Sequence, residues 1–149
     1  MTDLRRLFSD VVRWETELWD AVDRRLREQC GIPMSNFDVM QVIAQTPSCR
    51  VYDISHRLSL TVGGTSKAVD RIEALGHLAR RSNPGDKRSS IIELTPAGEE
   101  LFAKACVVVE EELDKRIGSV LPAESLAQLS SLVTELRAAG ARIDEAGPA

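Results

Sequence analysis

Thr61-Val62-Gly63-Gly64-Thr65-Ser66-Lys67-Ala68-Val69-Asp70-Arg71-Ile72-Glu73-Ala74-Leu75-Gly76 is the stretch on which the fold turns. Val62, Ala68, Val69, Ile72 and Leu75 recur at helical spacing and predict one buried face, and Gly76 supplies the stop. The other face carries Gly63, Gly64, Thr65, Ser66, Lys67 and Arg71. Two adjacent glycines early in a helix cost about 1 kcal/mol each relative to alanine, so a helix needed only for packing would not favour them. They remove bulk and let the helix backbone come close to a second molecule.

Downstream, two short apolar-alternating runs, Leu78 to Ser82 and Ser89 to Leu94, flank a tip of Asn83-Pro84-Gly85-Asp86-Lys87-Arg88. This is a hairpin pattern: Pro presets φ, Gly tolerates a positive φ, and Asp can accept hydrogen bonds from nearby backbone amides. Arg80 and Arg81 fall on the outgoing strand and Lys87 and Arg88 begin the returning one. Thr95-Pro96-Ala97-Gly98-Glu99-Glu100 then opens a helix, with a capping hydroxyl, Pro at the first helical position and acids at the positive end of the dipole. Its stripe of Leu101, Phe102, Ala105, Val109, Leu113 and Ile117 runs to about Val120. Pro122-Ala123-Glu124 opens a last helix through Leu126, Leu129, Leu132, Val133 and Leu136.

Upstream, Tyr52 to Leu58 forms about two helical turns with Ile54 and Leu58 facing in, joined to the opening stretch by the tight turn Ser59-Leu60-Thr61. Cys49-Arg50-Val51 reads as a small strand. Ser35-Asn36-Phe37-Asp38 reads as an N-cap for a helix through Val39, Met40, Val42, Ile43 and Ala44 that breaks at Thr46-Pro47-Ser48. A long first helix has its apolar stripe between Leu4 and Leu26 and ends at Gly31-Ile32-Pro33. Two short helices joined by a tight turn, followed by a basic-tipped hairpin, make a winged helix-turn-helix whose second helix suits the major groove of DNA. The expected fold is mainly α with a small β-hairpin wing. One domain spans 1–149, with 33–95 as the DNA-binding module and helices in 1–30 and 96–145 as the dimerisation element, because the small module cannot cover all their apolar faces.

Charge divides unevenly along the chain. The net charge is −4, yet residues 50–92 carry 8 basic groups against 4 acidic, while 93–149 carry 5 against 11. A basic patch of Arg50, Arg57, Lys67, Arg71, Arg80, Arg81, Lys87 and Arg88 in an acidic protein suits phosphate contact on one face. Thr61, Gly63, Gly64, Thr65, Ser66, Lys67, Arg71, Arg81, Asp86, Lys87 and Arg88 are the candidate contacts, with Arg88 suited to a narrow minor groove and Asp86 positioned to orient it.

Other functions find little support. Hydrophobic content is 43%, no apolar run approaches the ~20 residues of a membrane helix, and the N-terminus lacks a secretory signal, so a cytoplasmic location is expected. Cys30, Cys49 and Cys106 are three, scattered and without a Cys-x-x-Cys, and His56 and His77 lie in no ligand or catalytic motif. No metal, no cofactor and no enzymatic activity are expected. The competing readings are a thiol-based redox-sensing regulator and a winged-helix protein-interaction module without DNA binding.

With Ser66-Lys67-Ala68-Val69-Asp70-Arg71-Ile72-Glu73-Ala74-Leu75-Gly76, Arg80-Arg81-Ser82-Asn83-Pro84-Gly85-Asp86-Lys87-Arg88 and Leu94-Thr95-Pro96-Ala97-Gly98, the chain resembles the MarR family of bacterial winged-helix regulators over almost its whole length. The resemblance implies a homodimer that binds double-stranded DNA, usually as a repressor, with Arg88 in the minor groove and Asp86 as its partner. It also implies release by a small aromatic effector, for which Trp14, Trp19, Phe37 and Met40 are the candidate pocket residues. The oxidant-sensing branch keeps a reactive Cys near the start of the first helix, and this chain has none before Cys30. The Gly63-Gly64 pair departs from the bulkier residues common in the family.

Overall fold

The computed structural model describes residues 1–86 and 89–147. The order is α1 (Leu4–Cys30), α2 (Met34–Gln45), α3 (Val51–Leu58), α4 (Val62–Ala74), β1 (Leu78–Ser82), β2 (Ser90–Leu94), α5 (Pro96–Leu113), a π-turned segment at Asp114–Gly118, and α6 (Ala123–Ala146). β1 and β2 pair antiparallel, with Leu78 opposite Leu94 and Ser82 opposite Ser90. The expected mainly helical winged helix-turn-helix is what the chain forms. No helix of the described residues is long and apolar enough to cross a membrane.

Residues 1–110 form one compact unit and residues 111–149 a second. In the first, the core is built from Leu26 of α1, Val39 and Met40 of α2, Ile54 of α3, Val69 and Ile72 of α4, Leu78 and Ile92 of the hairpin, and Ala105 of α5, all sealed from solvent. Phe37 of α2 stacks on Phe102 of α5 with ring centroids 5.4 Å apart. In the second, the π-turned segment closes with Ser119 N–H donating to the Asp114 carbonyl, and the buried Glu112 accepts from Arg116 Nε at 2.6 Å.

Local chemistry differs from expectation at three joints. Gly31 does end α1, in the left-handed region at φ 68°. The cap of α2, however, is not Ser35. Pro33 holds the N-cap position without a side-chain bond, and the orphan Met34 amide donates to Asp23 Oδ1 of α1 at 2.7 Å. That bond and the Arg27 guanidinium hold the Asp23 carboxyl below its ordinary value against the opposing effect of burial. Cys49-Arg50-Val51 makes no strand either. A single ladder-like bond runs from Ile92 N–H to the Cys49 carbonyl at 2.7 Å, after which Asp53 accepts from the Arg50 amide and the chain turns into α3. At the wing tip, Asn83 caps the turn, its Oδ1 accepting from Gly85 N–H at 3.0 Å. Gly85 does not use a positive φ.

Candidate nucleic-acid interface

The helix-turn-helix joint is tight because Ser59 adopts a left-handed conformation at φ 53°, while Leu60 N–H reaches back to the Ser55 carbonyl. Thr61 then caps α4, its Oγ1 accepting from Gly64 N–H at 3.0 Å. A Cβ at Gly64 would sit only 3.0 Å from that hydroxyl, so the second glycine keeps the cap uncrowded. A Cβ at Gly63 would meet nothing within 4 Å, and no positive φ is involved. Its glycine therefore serves nothing inside the chain.

Two assignments on α4 are exchanged. Thr65, expected to face outward, is fully buried and donates its hydroxyl to the Thr61 carbonyl at 2.8 Å, so it is no DNA contact in this fold. Val62 and Leu75, expected in the core, are exposed at 57% and 58%. The buried stripe is Thr65, Val69 and Ile72, spaced four and three; Val62 and Leu75 stand at the two ends of the helix, where no neighbouring element covers them. Ser66 is half-buried, and Lys67 and Arg71 are exposed. Neither Lys67 nor Arg71 forms an ion pair among the described residues.

The wing-base arginines behave otherwise. Arg80 is half-buried and bridges two carboxylates of α4, Nη2 to Asp70 at 2.7 Å and Nη1 to Glu73 at 2.8 Å. Burial works against its charge, but the bonds and charges of Asp70 and Glu73 outweigh that and raise its pKa. Arg81, a candidate contact, donates Nε to Glu93 at 2.6 Å, diagonally across the hairpin. Asp70 and Glu73 lie three apart on one helix face, the signal that could have announced this bridge. Asp86 is exposed at the tip. Lys87 and Arg88 lie outside the described residues.

A second clamp explains the Leu-Thr-x-x-Gly run. Thr95 Oγ1 donates to the Gly76 carbonyl at 2.6 Å and accepts from Gly98 N–H at 3.0 Å, while Thr95 N–H donates to the His77 carbonyl. Gly98 packs so closely on the His77 carbonyl that a Cβ would collide with backbone. The turn leaving α4, with Gly76 at φ 82°, is thus locked to the start of α5. The bridge and the clamp together fix the angle between α4 and the wing.

Between α3, α4 and the hairpin lies a cavity of about 510 Å³ bordered by Arg50, Tyr52, Val62, Ser66, Arg80 and Ser89. Tyr52 is 66% exposed and stacks on His56. A second cavity of about 670 Å³ lies between the end of α2, β2 and the start of α5. Neither is lined by the expected pocket residues. Met40 is sealed in the core and Phe37 is buried against Phe102, because α2 turns both inward, while Trp14 and Trp19 are exposed on α1. Among the described residues, neither of these two cavities brings the four together.

Two of the three thiols, Cys49 and Cys106, are poorly suited to chemistry. Cys49 is buried, and burial together with the Asp53 charge pushes it up to about 11. Burial and Glu110 also raise Cys106. Both stay protonated near neutral pH, whereas a reactive thiol needs the opposite shift. Among the described residues no cluster of three His, Cys, Asp or Glu could hold a metal ion.

A model described as the MarR family matches residues 31–89. The chain is 26% identical over 117 residues to the multiple antibiotic resistance protein MarR of Escherichia coli strain K12, covering 76% of this chain and 81% of that protein. It is 29% identical over 106 residues to the HTH-type transcriptional regulator BilQ of Clostridium symbiosum, covering 71% and 73%. In fold it is similar to Sco3205, a MarR family transcriptional regulator from Streptomyces coelicolor solved in complex with DNA. There the TM-score is 0.82 at 22% identity, covering 89% of this chain and 84% of that one.

Proposed function

This chain belongs to the MarR family of transcriptional regulators, and on that premise we propose that it is a homodimeric repressor that binds a pseudo-palindromic DNA operator and releases it on binding a small aromatic molecule. One observation carries the DNA-binding part: α4 offers Lys67 and Arg71 exposed and without ion-pair partners among the described residues, ahead of a bare Gly63, on a helix braced at the wing base and at α5. Free cations on a helix fit phosphates and guanine edges, and a helix fits the major groove. That the similar Sco3205 was solved with DNA supports the same reading. The wing-tip role of Arg88, with Asp86 as its partner, rests on the family resemblance.

The dimer is supported by uncovered apolar side chains. α1 exposes Leu4, Leu7, Phe8, Val11 and Val12, and α6 exposes Leu132, Val133, Leu136 and Ile143. Apolar surface left uncovered along a helix marks an association site, and a two-fold pair presents two copies of α4 to half-sites about one helical turn apart. The exposed indoles of Trp14 and Trp19 are the aromatic surface available to an effector.

Footprinting on the DNA adjoining its own gene, with and without phenolic compounds, tests this. The expected result is protection of two half-sites, lost with an active compound. An intact dimer in ultracentrifugation that protects nothing at low salt would contradict DNA binding and favour the protein-interaction reading.

A further inference from the structure

Val62 is an apolar, β-branched residue in the leading turn of α4, and the chain leaves it 57% exposed. Beside it the helix is bare, since Gly63 carries no side chain and a Cβ there would meet nothing within 4 Å. Hydrogen-bonding groups resume one turn later, at Ser66 and Lys67, and Asp70 a turn beyond is drawn towards Arg80. The end of a recognition helix that meets the base edges is its N-terminal end, so Val62 stands at the inserted end and on the flank shared with Ser66. In the major groove the one apolar feature among the base edges is the C5-methyl of thymine; the others are hydrogen-bonding groups.

We propose that Val62 reads a thymine in each half-site through its C5-methyl, with Gly63 supplying the clearance that brings the helix backbone close enough. The valine side chain is stiff about χ1, so little freedom is lost on contact. This rests on the DNA-binding reading above and adds to it a base identity and the residue that selects it.

The test uses the full-length protein. Duplexes are selected from a randomised pool, each thymine of the selected site is replaced in turn by deoxyuridine, which lacks only the methyl, and binding is measured for the wild type, Val62→Ala and Leu75→Ala. Leu75 is equally exposed but lies at the far end of α4, and serves as the control. At one thymine per half-site the wild type and Leu75→Ala should lose about fourfold in affinity on removal of the methyl, the worth of one buried carbon. Val62→Ala, which removes the contact from both protomers, should bind the thymine duplex roughly sixteenfold more weakly, about fourfold for each half-site, and be indifferent to deoxyuridine. Full retention of the methyl effect in Val62→Ala, or no methyl effect in the wild type, would overturn the proposal while leaving DNA binding intact. If no duplex is enriched at low salt, the DNA-binding reading goes and this inference goes with it.

Discussion

On α4, Lys67 and Arg71 stand exposed with no ion-pair partner among the described residues, whereas on β1 Arg80 is held by Asp70 and Glu73 and Arg81 by Glu93. In sequence the four are interchangeable members of one basic patch. In the fold the first pair is open to a ligand, and the second pair is used inside the protein, Arg80 to set the wing on the helix and Arg81 to tie the two strands of the wing together. A count of basic residues therefore overstates the phosphate-facing charge. The distinction lies in where the neighbouring carboxylates fall, and it separates the part that reads from the part that holds the reader in position.

The holding part should break most easily at Gly98. Gly98→Ala drives a methyl into the His77 carbonyl, which backbone on both sides prevents from yielding, and should cost about 2 kcal/mol or more in urea unfolding. Arg80→Ala removes both bridges of a half-buried guanidinium; a loss of about 1.5 kcal/mol is expected, discounted for the exposure of its partners. Asp23→Ala uncaps α2 and should cost about 1 kcal/mol at neutral pH. Because the folded Asp23 value lies below the ordinary 3.8, this contribution is present above pH 3.8 and fades as pH falls through the lowered value. The penalty of the variant should shrink in the same window of a pH-resolved melt. Asp38 makes the opposite, smallest case. Burial raises its carboxyl, so the folded chain loses stability as pH climbs from 3.8 through the raised value. Asp38→Asn should melt slightly higher than wild type at pH 7, with the advantage gone near pH 3.

Much of the frame was legible in the sequence. The left-handed Gly31, the hairpin between Leu78 and Leu94 and the helix restart at Thr95-Pro96 follow from local chemistry, and local chemistry is what a sequence displays. What escaped depends on partners distant along the chain. The cap of α2 comes from Asp23, eleven residues upstream on another helix, so a nearby Ser35 drew the assignment. The bridges of Arg80 reach seven and ten residues back to α4. Thr65 and Val62 exchanged places because helical periodicity gives a face but not the end of the neighbouring elements that would cover it. Lys87 and Arg88, the wing-tip candidates, lie outside the described residues, and their part in the interface remains a proposal.

The salt dependence of duplex binding tests the contrast between open and held cations most directly. Each cation that neutralises a phosphate contributes about one to the slope of log affinity against log salt. Lys67→Ala and Arg71→Ala should each lower the slope of the dimer by about two, one for each protomer, while leaving unfolding within about 0.5 kcal/mol of wild type. Arg80→Ala removes no phosphate contact of its own and should lower the slope by less than either α4 variant. A slope that falls with Arg80→Ala and stays constant with both α4 variants would contradict the account.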